Sequence, residues 1–169
     1  MISNNYEIID NFLPNEEFVY IQNRMMSYGF PWHYNNSVTG PNSQDDISYY
    51  FTHLFVSTSR SVGLQKTSQE IELIRPILEK LSPKTLVRVK GNMYPRILNC
   101  ENLDHTDYPF DCYGAIFYIN TNNGKTIIDN NVEIVPVQNR MLIFNSGIKH
   151  RSIHCTDQKV RVNINFNYF

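Results

Sequence analysis

The stretch KVRVNINFNYF, residues 159–169, alternates from Lys159 to Tyr168. In an extended chain Val160, Val162, Ile164, Phe166 and Tyr168 share one side, and Arg161, Asn163, Asn165 and Asn167 share the other. Two kinds of strand carry this pattern. A half-exposed strand turns its polar side to water; a strand in a closed barrel turns it into a polar interior that can bind an anion. Taken alone, the alternation favours the first.

Working back from this stretch, period-two segments recur: TLVRVKGNMY (85–94), YGAIFYIN (113–120), KTIIDN (125–130), VEIVPV (132–137) and RMLIFNS (140–146). Asn, Gly and Pro separate them, as turns between short strands require. Ahead of Thr85, YEIIDNFLP reads as a short strand and turn, and two segments have a helical period. In NEEFVYIQNRMMSYG, Asn15 is placed to cap, Glu16 and Glu17 suit the first turn, and Phe18, Ile21, Met25 and Tyr28 form a stripe that Gly29 ends. SQEIELIRPILEKLSP reads as a second helix with Ser68 as cap, Ile71, Ile74 and Leu78 on one face, a bend or break at Pro76 and a stop at Pro83. Between the helices lies an aromatic stretch with a loop tip at Gly40, Pro41 and Asn42. Two helices followed by six short strands predict an α+β chain whose helices brace a β-sandwich or barrel. We read residues 1–169 as one domain, with 1–84 supplying helices and a substrate-side segment and 85–169 the barrel.

Composition narrows the function. The formal net charge of -1 argues against a nucleic-acid partner, which needs a basic field. No apolar run approaches the ~20 residues of a membrane span, and no signal peptide is visible in MISNNYEIIDNFLP. Cys100, Cys112 and Cys155 form neither CxxC spacing nor an even set, which points to a reducing cytoplasm.

Five histidines are available: His33, His53, His105, His150 and His154. In ENLDHTDYPF, His105 and Asp107 are two apart, so an extended backbone aims both at one metal ion. A third ligand from a distant strand would complete a two-histidine, one-carboxylate set, which suits Fe(II) and leaves positions open. His150 and His154 are the candidates downstream. They stand ~13 Å apart in an extended chain, so one ion cannot take both. The H-x-D pair alone is a weak signal; its order among the strands strengthens it.

The order of motifs resembles the Fe(II)- and 2-oxoglutarate-dependent oxygenases, in particular the small prolyl-4-hydroxylase-like branch. NMYPRILNCENLDHTD (92–107) is similar to that branch's tyrosine followed by H-x-D. FYINTNNGKTIIDNN (117–131) is similar to its Y-L-N…G-x-T segment, and MLIFNSGIKHRSIHCTDQKVRVNINFNY (141–168) to its F-x-S-x-x-x-H stretch with a later arginine. The likeness spans Thr85 to Phe169, with weaker similarity in IIDNFLPNEEF and FPWHY, and short versions resemble phage-encoded members. It implies a double-stranded β-helix (a jelly-roll, cupin-like barrel). It also implies a metal site of His105, Asp107 and His150, with His154 unligated. Arg161 would hold the distal carboxylate of 2-oxoglutarate, aided by Asn163 where the family often has Ser or Thr, and by the Tyr94 hydroxyl. Tyr118 and Thr126 read as strand packing, and Arg88 or Arg96 as a substrate contact.

The implied cofactors are Fe(II), 2-oxoglutarate and dioxygen, with ascorbate as a candidate reductant. The implied activity is hydroxylation of a peptidyl, prolyl-like residue with succinate and carbon dioxide as co-products; a nucleobase or small metabolite is the other substrate class. Retention of Asp107 favours hydroxylation over halogenation. Trp32, His33, Tyr34, Tyr49 and Tyr50 are candidates for an aromatic substrate lid. Two alternatives remain: a non-catalytic barrel that binds an anion through Arg161, and a cupin-type hydrolase or isomerase that uses the metal alone.

Overall fold

In the computed structural model, which describes residues 6–37, 49–58, 65–129 and 132–169, the alternating stretch is buried on both faces. The strands are β1 (Tyr6–Ile9), β2 (His33–Asn35), β3 (Tyr50–Thr58), β4 (Gln65–Thr67), β5 (Leu86–Pro95), β6 (Tyr113–Tyr118), β7 (Lys125–Ile128), β8 (Val132–Ile134), β9 (Arg140–Asn145), β10 (His150–Ile153) and β11 (Val160–Tyr168). Helix α1 covers Asn15–Met25; a 3₁₀ turn, Ile71–Ile74, runs into α2, Arg75–Leu81. The larger sheet follows the order β1-β9-β6-β11-β5-β3-β2, with β4 on β3, and the smaller is β10-β7-β8. All pairings are antiparallel. The chain is thus an α+β double-stranded β-helix with bracing helices at its N-terminal side. No helix among the described residues is long and apolar enough to cross a membrane.

β11 sits between β5 and β6, and its two faces meet different partners. Val162, Ile164 and Phe166 join Phe18, Ile21 and Met25 of α1 and Ile77 of α2 in the main apolar core. Arg161, Asn163 and Asn167 point the other way, into the space between the sheets, and are 0–2 % exposed. The half-exposed reading of this strand is therefore wrong. The helices cover the apolar side, and the second sheet covers the polar one. A second apolar cluster, with Ile116, Tyr118, Ile128, Ile134, Leu142 and Phe144, joins β6 and β9 of the larger sheet to β7 and β8 of the smaller.

Three local expectations differ from the structure. Asn15 is the first helical residue of α1, not its cap. Pro14 holds that place with extended backbone (φ -51, ψ 143), and its carbonyl accepts the Phe18 amide at 3.1 Å. The helix stops at Met25, because Ser27 turns back to donate its hydroxyl to the Arg24 carbonyl at 2.8 Å; Tyr28 is fully exposed. In the second helical segment Pro76 falls in the first turn of α2, where no amide is required, so the break precedes it as the 3₁₀ turn. Ser68 accepts the Glu70 amide at 2.8 Å, and Ser82, in the left-handed region (φ 49), ends the helix.

β3 has no period-two pattern because its register against β5 shifts between Leu54 and Val56, which buries Phe55 and Val56 together. The tip at Gly40, Pro41 and Asn42 lies outside the described residues. Phe117, fully buried, meets Phe12 and Phe18 edge-on at 5.9 and 6.1 Å between centroids and joins sheet to helix. Phe117→Ala should lower unfolding free energy by about 3–5 kcal/mol in a urea titration.

Candidate metal and anion site

His105 and His150 lie side by side because their backbones pair: the His105 amide donates to the His150 carbonyl at 3.0 Å, and the reverse bond is 2.9 Å. Each ring turns Nδ1 to a carbonyl two residues back, Leu103 at 3.2 Å and Ile148 at 3.0 Å. A carbonyl can only accept, so Nδ1 carries the proton and Nε2 keeps its lone pair. The ring centroids are 4.5 Å apart. Asp107 completes the group: ligand atoms of His105, Asp107 and His150 all fall within 4.8 Å of one another. Burial, and then the neighbouring His150 imidazole, hold His105 below the usual imidazole range, which favours its neutral form.

The Asp107 carboxylate is held from two strands. Arg88 Nη2 of β5 donates to Oδ1 at 2.8 Å, and Asn167 Nδ2 of β11 donates to Oδ2 at 2.8 Å. Burial pushes this carboxyl up, but Arg88, His150 and Asn167 outweigh it and hold it below the usual carboxylate range. The Nε2 of His150 is buried and without a hydrogen-bond partner. Two imidazole lone pairs and an anchored carboxylate are a donor set that fits a first-row divalent ion.

The same cleft continues past Thr126, Ser152 and Asn163 to Arg161. Arg161 is 1 % exposed; its Nη2 donates to Thr126 Oγ1 at 2.8 Å, and its Nε and Nη1 are buried with no hydrogen-bond partner among the described residues. Tyr94 and Tyr118 place their rings 5.4 and 6.0 Å from its guanidinium carbon. The Tyr118 hydroxyl also donates to Thr126 Oγ1, at 2.8 Å. Having accepted twice, the Thr126 hydroxyl keeps its own hydrogen to donate elsewhere. Burial raises both phenols well above the usual tyrosine range despite Arg161, so they stay protonated donors. A buried cation flanked by neutral donors fits a carboxylate.

Gly124 explains the G-x-T spacing. A Cβ there would meet the Ile153 carbonyl at 2.8 Å, Asn122 Oδ1 at 2.9 Å and Arg161 Cδ at 3.0 Å, so the arginine passes only over a glycine. Asn163 lies on the same face as Arg161, with its side-chain oxygen accepting from Asn92 Nδ2 at 3.0 Å. His154 stands outside the cluster: its Nδ1 meets the Pro95 carbonyl at 2.8 Å, and its ring packs edge-on against Tyr94. Arg96 is exposed and outside the cleft.

Of the proposed lid, Trp32 packs against the main core and donates to the Met25 carbonyl, and His33, Tyr34 and Tyr49 are exposed. Tyr50 alone of the five joins the site, stacked on Tyr94 at 5.4 Å and 12°. Sequence reasoning undervalued Thr126, Tyr118 and Asn167 and assigned Arg88 to substrate. The G-x-T glycine and the alternation of β5 and β11 were the available signals.

No protein-family model and no curated protein matches the sequence. Solved structures do match. A Trichoplax adhaerens prolyl hydroxylase, in complex with a hypoxia inducible factor oxygen degradation domain peptide fragment, superposes with a TM-score of 0.69 at 17% identity, over 99% of this chain and 84% of that one. A Pseudomonas putida prolyl-4-hydroxylase gives 0.60 at 13% identity, over 98% and 93%. The epimerase SnoN, in complex with Fe3+, alpha ketoglutarate and nogalamycin RO, gives 0.63 at 11% identity, over 98% and 79%. The likeness establishes the fold: this chain has the double-stranded β-helix that these oxygenases share.

Two outcomes test the geometry. Arg88→Met removes the strongest influence lowering the Asp107 pKa, so the carboxyl should titrate at higher pH in carbon-detected NMR of the metal-free protein. Gly124→Ala should displace Arg161 and weaken 2-oxoglutarate binding at least tenfold by calorimetry, with little change in Mn(II) affinity.

Proposed function

We propose that the chain is an Fe(II)- and 2-oxoglutarate-dependent oxygenase that hydroxylates a peptidyl residue of prolyl type. One observation carries the reading: the two histidines of a His–Asp–His cluster and a buried guanidinium with two unengaged nitrogens line the same cleft. The prolyl hydroxylases among the structural neighbours, one of them solved with a peptide, support the substrate class.

In this reading His105 Nε2, His150 Nε2 and an Asp107 oxygen hold Fe(II), leaving positions for co-substrate and dioxygen. When bound, the iron with 2-oxoglutarate and dioxygen supplies oxidative decarboxylation: C–H, dioxygen and 2-oxoglutarate become C–OH, succinate and carbon dioxide. The chain's own work is positional. Arg88 and Asn167 fix the carboxylate ligand so that it need not reorganise when the ion arrives. Arg161 takes the distal carboxylate through its unpartnered Nη1 on the edge it shares with Nη2, and Thr126 and Tyr94 offer hydroxyl hydrogens beside it. Burial of this end keeps water from competing for the guanidinium.

Aerobic incubation with Fe(II) and 2-oxoglutarate should release succinate, and anaerobic or metal-free controls should not. Calorimetry on the Mn(II) form should show one 2-oxoglutarate per chain. His105→Ala and His150→Ala should each abolish stoichiometric metal binding, and Arg161→Ala should weaken 2-oxoglutarate by about 2 kcal/mol, ~30-fold. Metal binding without 2-oxoglutarate affinity would favour the cupin-type hydrolase or isomerase. Anion binding without metal would leave a non-catalytic barrel.

A further inference from the structure

Three cations stand on the inner face of the larger sheet: Arg88 and Lys90 on β5, and Arg161 on β11. Arg88 is committed to Asp107, and Arg161 to Thr126 and, in the reading above, to the co-substrate. Lys90 has no ion pair among the described residues. Its placement inside follows from period two, since Arg88, Asn92 and Tyr94 of the same strand contact Asp107, Asn163 and Arg161 respectively. The side chain is half-buried, and Nζ lies 5.5 Å from the centre of the Tyr50 ring. That ring stacks on Tyr94, so a row of cation, two aromatics and cation leads from Lys90 to Arg161.

Lys90 is four residues from Tyr94, the register partner of Arg161, or ~13 Å along the strand. The two cations therefore suit different anions. Lys90 stands at the metal end: Arg88, two residues along β5, and Asn167, two residues beyond its register partner Asn165 on β11, both hold Asp107. Around it are two amides with unmet capacity: Asn165, its register partner on β11, and Asn92, fully buried, each hold a buried side-chain oxygen without a donor. A ligand filling this corner would bring an anion for the amine and N–H groups for the amide oxygens.

We infer that Lys90 receives a carboxylate of the primary substrate, so that the amino acid or peptide oxidised here carries an acidic group near the oxidised position. The inference rests on the oxygenase reading and specifies its substrate class. The carboxylate belongs either to a free α-carboxyl or to an acidic side chain beside the target residue.

The test is calorimetry on the full chain loaded with Mn(II) and 2-oxoglutarate, using two matched pairs: N-acetyl-L-proline against its carboxamide, and Gly-Pro-Asp-amide against Gly-Pro-Asn-amide. One acid should bind at least tenfold more tightly than its neutral partner, and which pair discriminates identifies the source of the carboxylate. Lys90→Met should erase the preference, Lys90→Arg should keep it, and the 2-oxoglutarate affinity of both variants should stay within threefold, which also reports that they fold. Equal binding of acid and amide, binding of neither, or a preference that survives Lys90→Met would overturn the inference. So would a large loss of 2-oxoglutarate affinity in Lys90→Met, which would assign the amine to the co-substrate. Absence of 2-oxoglutarate binding in the unmodified chain fails the oxygenase reading itself and is visible in the first titration.

Discussion

A guanidinium in the interior of a barrel sets the terms for everything around it. Arg161 is the largest fully buried side chain among the described residues, and only one of its nitrogens has a partner. Leaving a cation so poorly compensated costs several kcal/mol. Its surroundings lessen that cost without removing it. Two aromatic faces lie against the guanidinium, a threonine hydroxyl accepts one bond, and a glycine clears the path of the aliphatic stem. What remains unmet is the capacity to bind an anion, and burial makes that binding strong.

The other charges are distributed so that they do not interfere. Arg88 neutralises Asp107 and steadies it, while Asn167 holds the second oxygen from the neighbouring strand. The two histidines anchor each other through their backbones and present their Nε2 atoms. β5 and β11 between them supply Tyr94, Arg161, Arg88 and Asn167, so both ends of the cleft are built on one pair of adjacent strands. Positions on such a pair hold their geometry better than positions on loops.

Much of this was legible in the sequence. The α1 stripe of Phe18, Ile21 and Met25, the strand segments after Thr85, and the alternation of β11 all follow from periodicity. What periodicity does not reveal is which side of a polar–apolar strand meets water, because helices and a second sheet can cover both. β3 stayed hidden because the bulge at Phe55 breaks the alternation. The cluster of His105, Asp107 and His150 came from spacing together with resemblance. The hold on Asp107 by Arg88 and Asn167 joins residues 19 and 60 apart in the chain, and no local pattern signals it. Lys90 looked like an ordinary strand lysine, since only its neighbours mark it out.

The two-sided burial of β11 also bears on how the chain finds its fold. A slip of one residue against β5 would drive Arg161 and three asparagines into the helix-packed core and turn Val162, Ile164 and Phe166 towards the cleft. Few alternative pairings are penalised so heavily on both faces at once. The polar interior thus acts as a checkpoint on strand alignment during folding: residues that lower the stability of the native barrel lower that of its misaligned competitors far more.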